Sequence, residues 1–193
     1  MPSQPLIQYL NNIIPLNDSE KTAVESICIE HEVKKRELIL EEGQVCTMNT
    51  FVVVGCFKMY LIDELGKQHN LQFAIENWWI GDIGSFHSEE PSRLYIEALE
   101  NSVILQIEKQ DQLNLFVDHP KFNRIFRVLA ENALVSAQRR TLQNISSTAE
   151  ERYLDFMKRY PHFFNRISNV QIASFLGVTP EFLSTICKRL SQS

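Results

Sequence analysis

The chain has 193 residues, 44% of them hydrophobic and 22% charged, with a formal net charge of −5. This length supplies the core of one large domain or two small ones, and the balance excludes a disordered or fibrous chain. No apolar run is long enough to span a bilayer, and the start "MPSQPLIQYL" lacks a basic region and a long apolar one. We therefore expect no signal peptide, no membrane partner and a cytoplasmic location.

The first zone, residues 5–30, has a helical period. Within "LNDSEKTAVESIC", Asn17 stands three residues before Glu20, the spacing of a capping box. Leu16, Ala23, Val24 and Ile27 then supply an apolar stripe.

The second zone, residues 33–107, changes to a strand period. "ELILEEG", "NTFVVVGCFKMYLID", "QHNLQFAIENWWIGD" and "RLYIEALENSVILQI" are rich in β-branched and aromatic residues. Glycines punctuate them, and Gly66 in "DELGKQ" fits a hairpin turn. Several short strands with regular turns predict an antiparallel β-roll, a jelly-roll-like double-stranded β-helix.

A long helix follows over 121–144, with Pro120 at its start. Phe122, Ile125, Phe126, Leu129, Ala133, Leu134 and Ala137 mark one broad apolar face. Val128, Val135 and Leu142 recur every seven residues on another. A helix apolar on two sides needs two surfaces to pack on. The roll supplies one, and a twin helix in a homodimer would supply the other.

In "SSTAEER", Ser147 and Glu150 fit another capping box, and "NISS" before Thr148 fits a hinge. From Ser147 onward, six basic residues outnumber four acidic ones, which makes the rest of the chain acidic. A basic end on an acidic body suits nucleic-acid contact.

The last stretch, "NVQIASFLGVTPEFLSTICKRLSQS", has the skeleton of a helix-turn-helix. Ala173 is the small residue that lets two helices approach, and Gly177 suits the turn between them. Ile172, Leu176, Val178, Leu183 and Ile186 take interior positions. Thr179 caps the second helix and Pro180 opens it. Such a helix lies in the major groove with its first turns at base edges. The candidate DNA-binding residues are Thr179, Pro180, Glu181, Ser184, Thr185, Lys188 and Arg189. Glu181 can accept from a cytosine amino group, while Lys188 and Arg189 suit phosphates.

The order helix, roll, long helix, helix-turn-helix resembles the Crp/Fnr family of bacterial transcription regulators, on "IASFLGVTPEFLSTICKRL" first and on the strand segments second. The resemblance implies an α+β chain in three parts. Residues 1–120 would form a cyclic-nucleotide-binding-like roll flanked by helices. Residues 121–146 would be the dimerisation helix, and 147–193 a small all-α domain that binds double-stranded DNA.

The resemblance also implies an effector pocket, and here the sequence departs from the family. The family's Gly-Glu pair, whose carboxylate meets the ribose hydroxyl, is Gly81-Asp82. Arg93 stands near the family's phosphate-binding arginine, but Leu94 and Tyr95 fill places that are small or hydroxyl-bearing in the family. In the alternative register Ser92 takes the arginine's place. The candidate effector residues are therefore Gly81, Asp82, Ser92, Arg93 and Leu94. Bulk at Leu94 and Tyr95 opposes a cyclic nucleotide in the usual mode.

Arginines common in the family's reading helix are replaced by Pro180 and Thr185. Only Ser191, Gln192 and Ser193 follow Leu190, so we expect no extended wing.

Four cysteines (Cys28, Cys46, Cys56, Cys187) and five histidines are scattered without metal-ligand spacing. We expect no metal and no enzyme activity; no cofactor is certain, and a cyclic nucleotide or another small-molecule effector stays open. A metal-dependent cupin on the same roll would need paired histidines that His69 and His87 do not supply. The remaining alternative is a ligand-binding or scaffold protein of the same fold that has lost DNA binding.

Overall fold

The computed structural model describes residues 3–163 and 165–190. The expectation of a missing wing falls on residues 191–193, which lie outside the described residues.

The N-terminal zone is two helices. α1 (Gln4–Ile13) buries Leu6, Ile7 and Leu10. α2 (Asp18–Ile27) starts at the expected capping box: Asn17 Oδ1 accepts from Glu20 N at 2.9 Å, and Asn17 N donates back to Glu20 Oε2 at 2.8 Å. The same carboxylate receives Lys121 Nζ at 2.7 Å, which pins α2 to a later helix. The helical zone ends at Ile27 rather than residue 30. The next residues are drawn into a strand by pairing, from Ile29 with Gln106 to Val33 with Ser102.

Eight strands follow: β1 (Ile29–Val33), β2 (Leu38–Leu40), β3 (Met48–Val54), β4 (Phe57–Ile62), β5 (Gln68–Ala74), β6 (Trp79–Ile80), β7 (Tyr95–Ala98) and β8 (Ser102–Glu108). They form two four-stranded sheets, β1-β8-β3-β6 and β2-β7-β4-β5, with every neighbouring pair antiparallel. This is the expected β-roll. Gly66, at φ 77°, turns β4 into β5. Between the sheets pack Val52, Phe57, Met59, Ala74, Ile96 and Ile104.

Two short helices escaped the sequence reading. α3 (Ile83–Ser88) lies between β6 and β7, and α4 (Lys109–Asp118) follows β8. The first is six residues long, and the second buries only Gln112 and Leu115, too sparse a stripe to register as a period.

The long helix α5 (Lys121–Ser146) buries Phe122 and Ile125, with Phe126 and Leu129 beside them, against α1, α2 and α4. The expected broad apolar face stops there. Ala133, Leu134 and Ala137 are exposed, because α5 outruns the elements that cover its first turns.

α6 (Ala149–Arg159) begins one residue later than expected. Its capping box is Thr148 with Glu151, not Ser147 with Glu150, because Ser147 closes α5 through its N–H to Gln143 O. The hinge is thus narrower than "NISS". A 3₁₀ turn (Pro161–Phe163), α7 (Asn169–Leu176) and α8 (Pro180–Leu190) complete the chain.

The helical end does not stand apart from the roll. Cys56, Phe73 and Ile75 on the outer side of the second sheet form one buried cluster with Phe156, Phe163, Ile172 and Leu176. Phe73 lies 5.7 Å from Phe163 and 5.3 Å from Phe175. Polar contacts frame this joint. Asn70 N donates to Ser174 Oγ at 3.0 Å, and Asn70 Nδ2 to Gln171 O at 3.0 Å. Arg140 of α5 donates to the carbonyls of Leu71, Asn70 and Phe175 and lies over the Phe175 ring. Arg166 makes a bidentate pair with Glu76, both contacts at 2.9 Å, and also reaches Glu100. Each buried phenylalanine contributes about 1.5–3 kcal/mol, and several of them share this cluster, whereas the ion pairs are few and only part-buried. The aromatic cluster therefore holds the joint, and the polar contacts orient it.

The Arg166 guanidinium holds the Glu76 carboxyl down to about 2 from its ordinary 4.5, assisted by the N–H of Gly55. A depressed carboxyl stabilises the folded joint fully above its ordinary value and loses that contribution as pH falls through the depressed one. Amide protection factors in α7, taken relative to the intrinsic exchange rate at each pH, should therefore fall as pH drops from 4.5 toward 2. Arg166→Ala should produce the same loosening at pH 7 while β3 and β8 stay protected, and Glu76→Gln should flatten the pH dependence. Equal protection of α7 in wild type and Arg166→Ala would contradict this account.

Candidate functional site

The C-terminal pair α7 and α8 is built by local rules. Ser168 and Gln171 form a capping box at the start of α7. Gly177 ends it in the left-handed region, at φ 70°, where a side chain would strain the backbone. Thr179 Oγ1 accepts from Phe182 N at 3.2 Å and caps α8. The chain bends by 105° between the two helices, within the range of a DNA-binding helix-turn-helix. Ile172, Ala173, Leu176, Leu183 and Ile186 are buried between them, and Val178 is half-buried. Although apolar together, the two helices are short, and among the described residues no single helix is long and apolar enough to cross a membrane.

All seven candidate DNA-binding residues are exposed: Thr179, Pro180, Glu181, Ser184, Thr185, Lys188 and Arg189. Leu183 and Ile186 face inward, so at 3.6 residues per turn Glu181 and Lys188 point directly outward, with Ser184 and Thr185 beside them. Thr185 Oγ1 donates to Glu181 O at 3.1 Å, which leaves its oxygen able to accept. Arg189 pairs with Glu150 on α6. The basic excess of this end is thus partly neutralised within the chain: Arg159 pairs with Asp155, and Arg166 with two glutamates. Sequence reasoning passed over Phe182, which is 52% exposed. It stands one turn before Ile186 and borders the inward stripe, so the spacing gave no sign that it would be exposed.

The candidate effector residues separate into two groups. Asp82 is the N-cap of α3: its Oδ1 accepts from Gly84 N at 3.0 Å and Ser85 N at 3.3 Å. Its Oδ2 accepts from Ser92 Oγ at 2.7 Å. Ser92 is buried, and its Oγ also accepts from Leu94 N at 2.9 Å. Gly81, Asp82, Ser92 and Leu94 therefore sit on one connected segment, with Leu94 packed on the roll's inner cluster. Arg93 is exposed, in the bend that precedes β7, and does not join Leu94 on the inner cluster. It lines an open outer groove of about 420 Å³ with Glu42, Asp63, Glu64 and Tyr95. Tyr95 donates to Glu42 at 3.1 Å, and this hydrogen bond raises its phenol pKa.

Inside the roll lies a smaller cavity of about 160 Å³. Ile39, Gln44, Thr50, Gly81, Ile96 and Gln106 contribute to its wall, and no charged side chain lines it. Gln106 Nε2 donates to Thr50 Oγ1 at 3.1 Å, so its polar groups are partly satisfied by one another. Sites for drug-sized molecules usually span about 300–1,000 Å³, and a buried phosphate needs a charged or strongly donating partner. This cavity meets neither requirement as it stands.

All four cysteines are free thiols, and burial pushes those of Cys28 and Cys56 up to about 12. Among the described residues no group of three or more His, Cys, Asp or Glu could hold a metal ion.

Residues 30–119 match the family model of the Cyclic nucleotide-binding domain. Over 191 residues the chain is 24% identical to a probable transcriptional regulator, flp, of Lacticaseibacillus casei, covering 92% of this chain and 83% of that protein. Among solved structures, FixK2 from Bradyrhizobium japonicum superposes with a TM-score of 0.76 at 19% identity, over 86% of this chain and 85% of that one. The regulator CLP of Xanthomonas campestris, described as c-di-GMP responsive, gives 0.71 at 13% identity, over 91% and 92%. These structural likenesses establish a shared fold through both the roll and the helical end.

Proposed function

We propose that this chain, a member of the Crp/Fnr family, is a dimeric DNA-binding transcriptional regulator whose roll does not take a cyclic nucleotide in the usual mode. The observation that carries the regulator reading is the helix-turn-helix: a 105° bend, a sealed interior and an outer face of α8 left open to solvent. The name of the Lacticaseibacillus casei relative supports it. We divide the chain into a roll with its flanking helices (1–120), a dimerisation helix (121–146) and a DNA-binding end (147–193), and place its work in the cytoplasm.

In this reading α8 enters the major groove. Glu181, Ser184 and Thr185 face base edges, with Thr179 and Pro180 at the helix entrance, and Lys188 and Arg189 face phosphates. Arg189 must exchange Glu150 for a phosphate to do so. The exposed half of α5 is the dimer surface. Leu134, Val135, Leu142 and Ile145 are 59%, 51%, 63% and 80% exposed, and they recur along one side at coiled-coil spacing. A second copy of α5 covers them and delivers the second reading helix to an adjacent half-site.

The effector reading follows from the cavity. The wall holds no cation for a cyclic phosphate, and the carboxylate that would meet a ribose is committed to capping α3 and to Ser92. Gly81 belongs to this wall, Asp82, Ser92 and Leu94 serve a structural role in the hydrogen-bonded segments beside it, and Arg93 remains on the outer groove. A small uncharged effector, or none, fits the cavity better than a nucleotide.

One observation favours a second reading, a scaffold that has lost DNA binding: three basic side chains of the helical end are paired internally. A gel shift on genomic fragments across a salt series separates the two. The regulator gives retained fragments whose affinity falls steeply with salt. Lys188→Ala should weaken all retained fragments alike and reduce the salt slope by about 1. No salt-sensitive retention of any fragment would favour the scaffold.

Sedimentation should show a dimer at micromolar concentration, and Val135→Glu with Leu142→Glu should convert it to a folded monomer. A wild-type monomer would reject the α5 interface. Millimolar cyclic AMP or cyclic GMP should shift neither the melting temperature nor the affinity for a retained fragment. A rise in melting temperature with nucleotide concentration would overturn the altered-pocket reading.

A further inference from the structure

The dimer seam proposed on α5 and the joint to the helix-turn-helix lie on opposite sides of the same stretch of that helix. At about 100° per residue, Leu134, Val135, Leu142 and Ile145 form one stripe, and Arg140 projects about 170° from its middle. Arg140 is half-buried, and its acceptors are all backbone carbonyls. Those of Leu71 and Asn70, the latter at 3.2 Å, belong to β5, the edge strand of its sheet. The third, Phe175 O at 3.1 Å, lies in the last turn of α7, where carbonyls lack helical partners and a cation is favoured. The guanidinium also lies 4.1 Å from the centre of the Phe175 ring. About one turn further along α5, Gln143 Nε2 donates to Asp155 Oδ2 of α6 at 2.7 Å. The last turns of α5 are thus bonded to both α6 and α7, across the break at Ser147.

A guanidinium carries its donors in a rigid planar fork, so it serves carbonyls of two elements at once only over a narrow range of their relative positions. Backbone carbonyls cannot turn to follow it, as side chains can. Burial pulls the pKa of this guanidinium down, the sign of a cation drawn out of water at the joint. In a dimeric helix-turn-helix protein the separation of the two reading helices must match that of the half-sites. One base pair of mismatch displaces a half-site by about 3.4 Å along the duplex and about 35° around it. We propose that Arg140 is a positioning residue for DNA recognition. By fixing the helix-turn-helix against the side of α5 opposite the dimer seam, it sets the half-site spacing that the dimer accepts. This rests on the dimeric regulator reading and adds to it how the dimer selects among sites that share one half-site sequence.

The test uses the full chain. A duplex with two half-sites is selected by the wild-type protein from a random-sequence pool. Versions with one base pair added or removed between the half-sites are then compared with it by gel shift. Wild type should lose about tenfold or more in affinity on either change, of the order that a mismatched base pair costs. Arg140→Ala should bind the selected duplex more weakly, bind a single half-site as wild type does, and lose much less than wild type on either change of spacing. Arg140→Lys keeps the charge without the fork; it should show the same flattened profile, and it serves if the alanine variant does not fold. A merely destabilising substitution weakens every duplex by the same factor, so undiminished spacing discrimination in either folded variant would overturn the inference. A wild-type dimer indifferent to spacing would also overturn it, while leaving the regulator reading intact. A wild-type monomer that selects one half-site would overturn the dimer reading and this inference with it. Failure to select any sequence would overturn the regulator reading and this inference together.

Discussion

The arrangement of this molecule depends on Phe73 facing outward. A sheet has two faces, and β5 places Ala74 in the roll's inner cluster and Phe73 in the cluster beneath the helix-turn-helix. The same alternation sets Phe57 inside and Cys56 outside at the start of β4. One sheet therefore separates the roll's cavity from the joint that carries the reading helix. Close packing on both faces means that a change of volume on one side is felt on the other. The polar frame of Arg140, Arg166 and Asn70 adds direction to that joint. Arg140 is informative because it belongs to the long helix yet bonds to carbonyls of β5 and α7 at once. The long helix, the roll and the helix-turn-helix meet at one guanidinium.

Local chemistry made some elements legible in the sequence. Asn17 with Glu20, Pro120 before α5, Gly66 in its turn and Gly177 between α7 and α8 each act through residues next to them in the chain. Such rules need no tertiary knowledge. Errors arose where the tertiary structure decided. Ile29 and Glu30 follow a helix but pair with β8. Ser147 has the chemistry of an N-cap, but it closes the preceding helix, so Thr148 takes that role. Ala133, Leu134 and Ala137 continue an apolar face past the end of anything in the chain that could cover it.

The candidate sites divide along the same line. The reading face was legible because a helix-turn-helix carries its own skeleton, and from Leu183 and Ile186 inward the outward positions follow by rotation. The effector segment was not, because one residue of register in a strand decides whether Arg93 or its neighbours face the cavity. The joint was invisible. Phe73, Phe156 and Phe163 are apolar residues on distant elements, and no spacing announces that they share a cluster. For the same reason Arg166 counted toward a basic, DNA-facing end, although it is tied to Glu76 and Glu100.

These neutralised charges bear on how the molecule could discriminate among sequences. Phosphate contacts give affinity without sequence information, while base-edge contacts give selectivity. A helical end whose arginines are largely paired within the chain has weak non-specific attraction to any duplex. In the proposed regulator, the ratio of specific to non-specific binding would then rest on a few side chains of α8 and on a second half-site held by a dimer. Internal pairing of Arg159, Arg166 and Arg189 would thus lower the background against which Glu181 and its neighbours act in that proposal. A reading head of this composition, as proposed, would gain its specificity less from strong contacts than from the scarcity of indiscriminate ones.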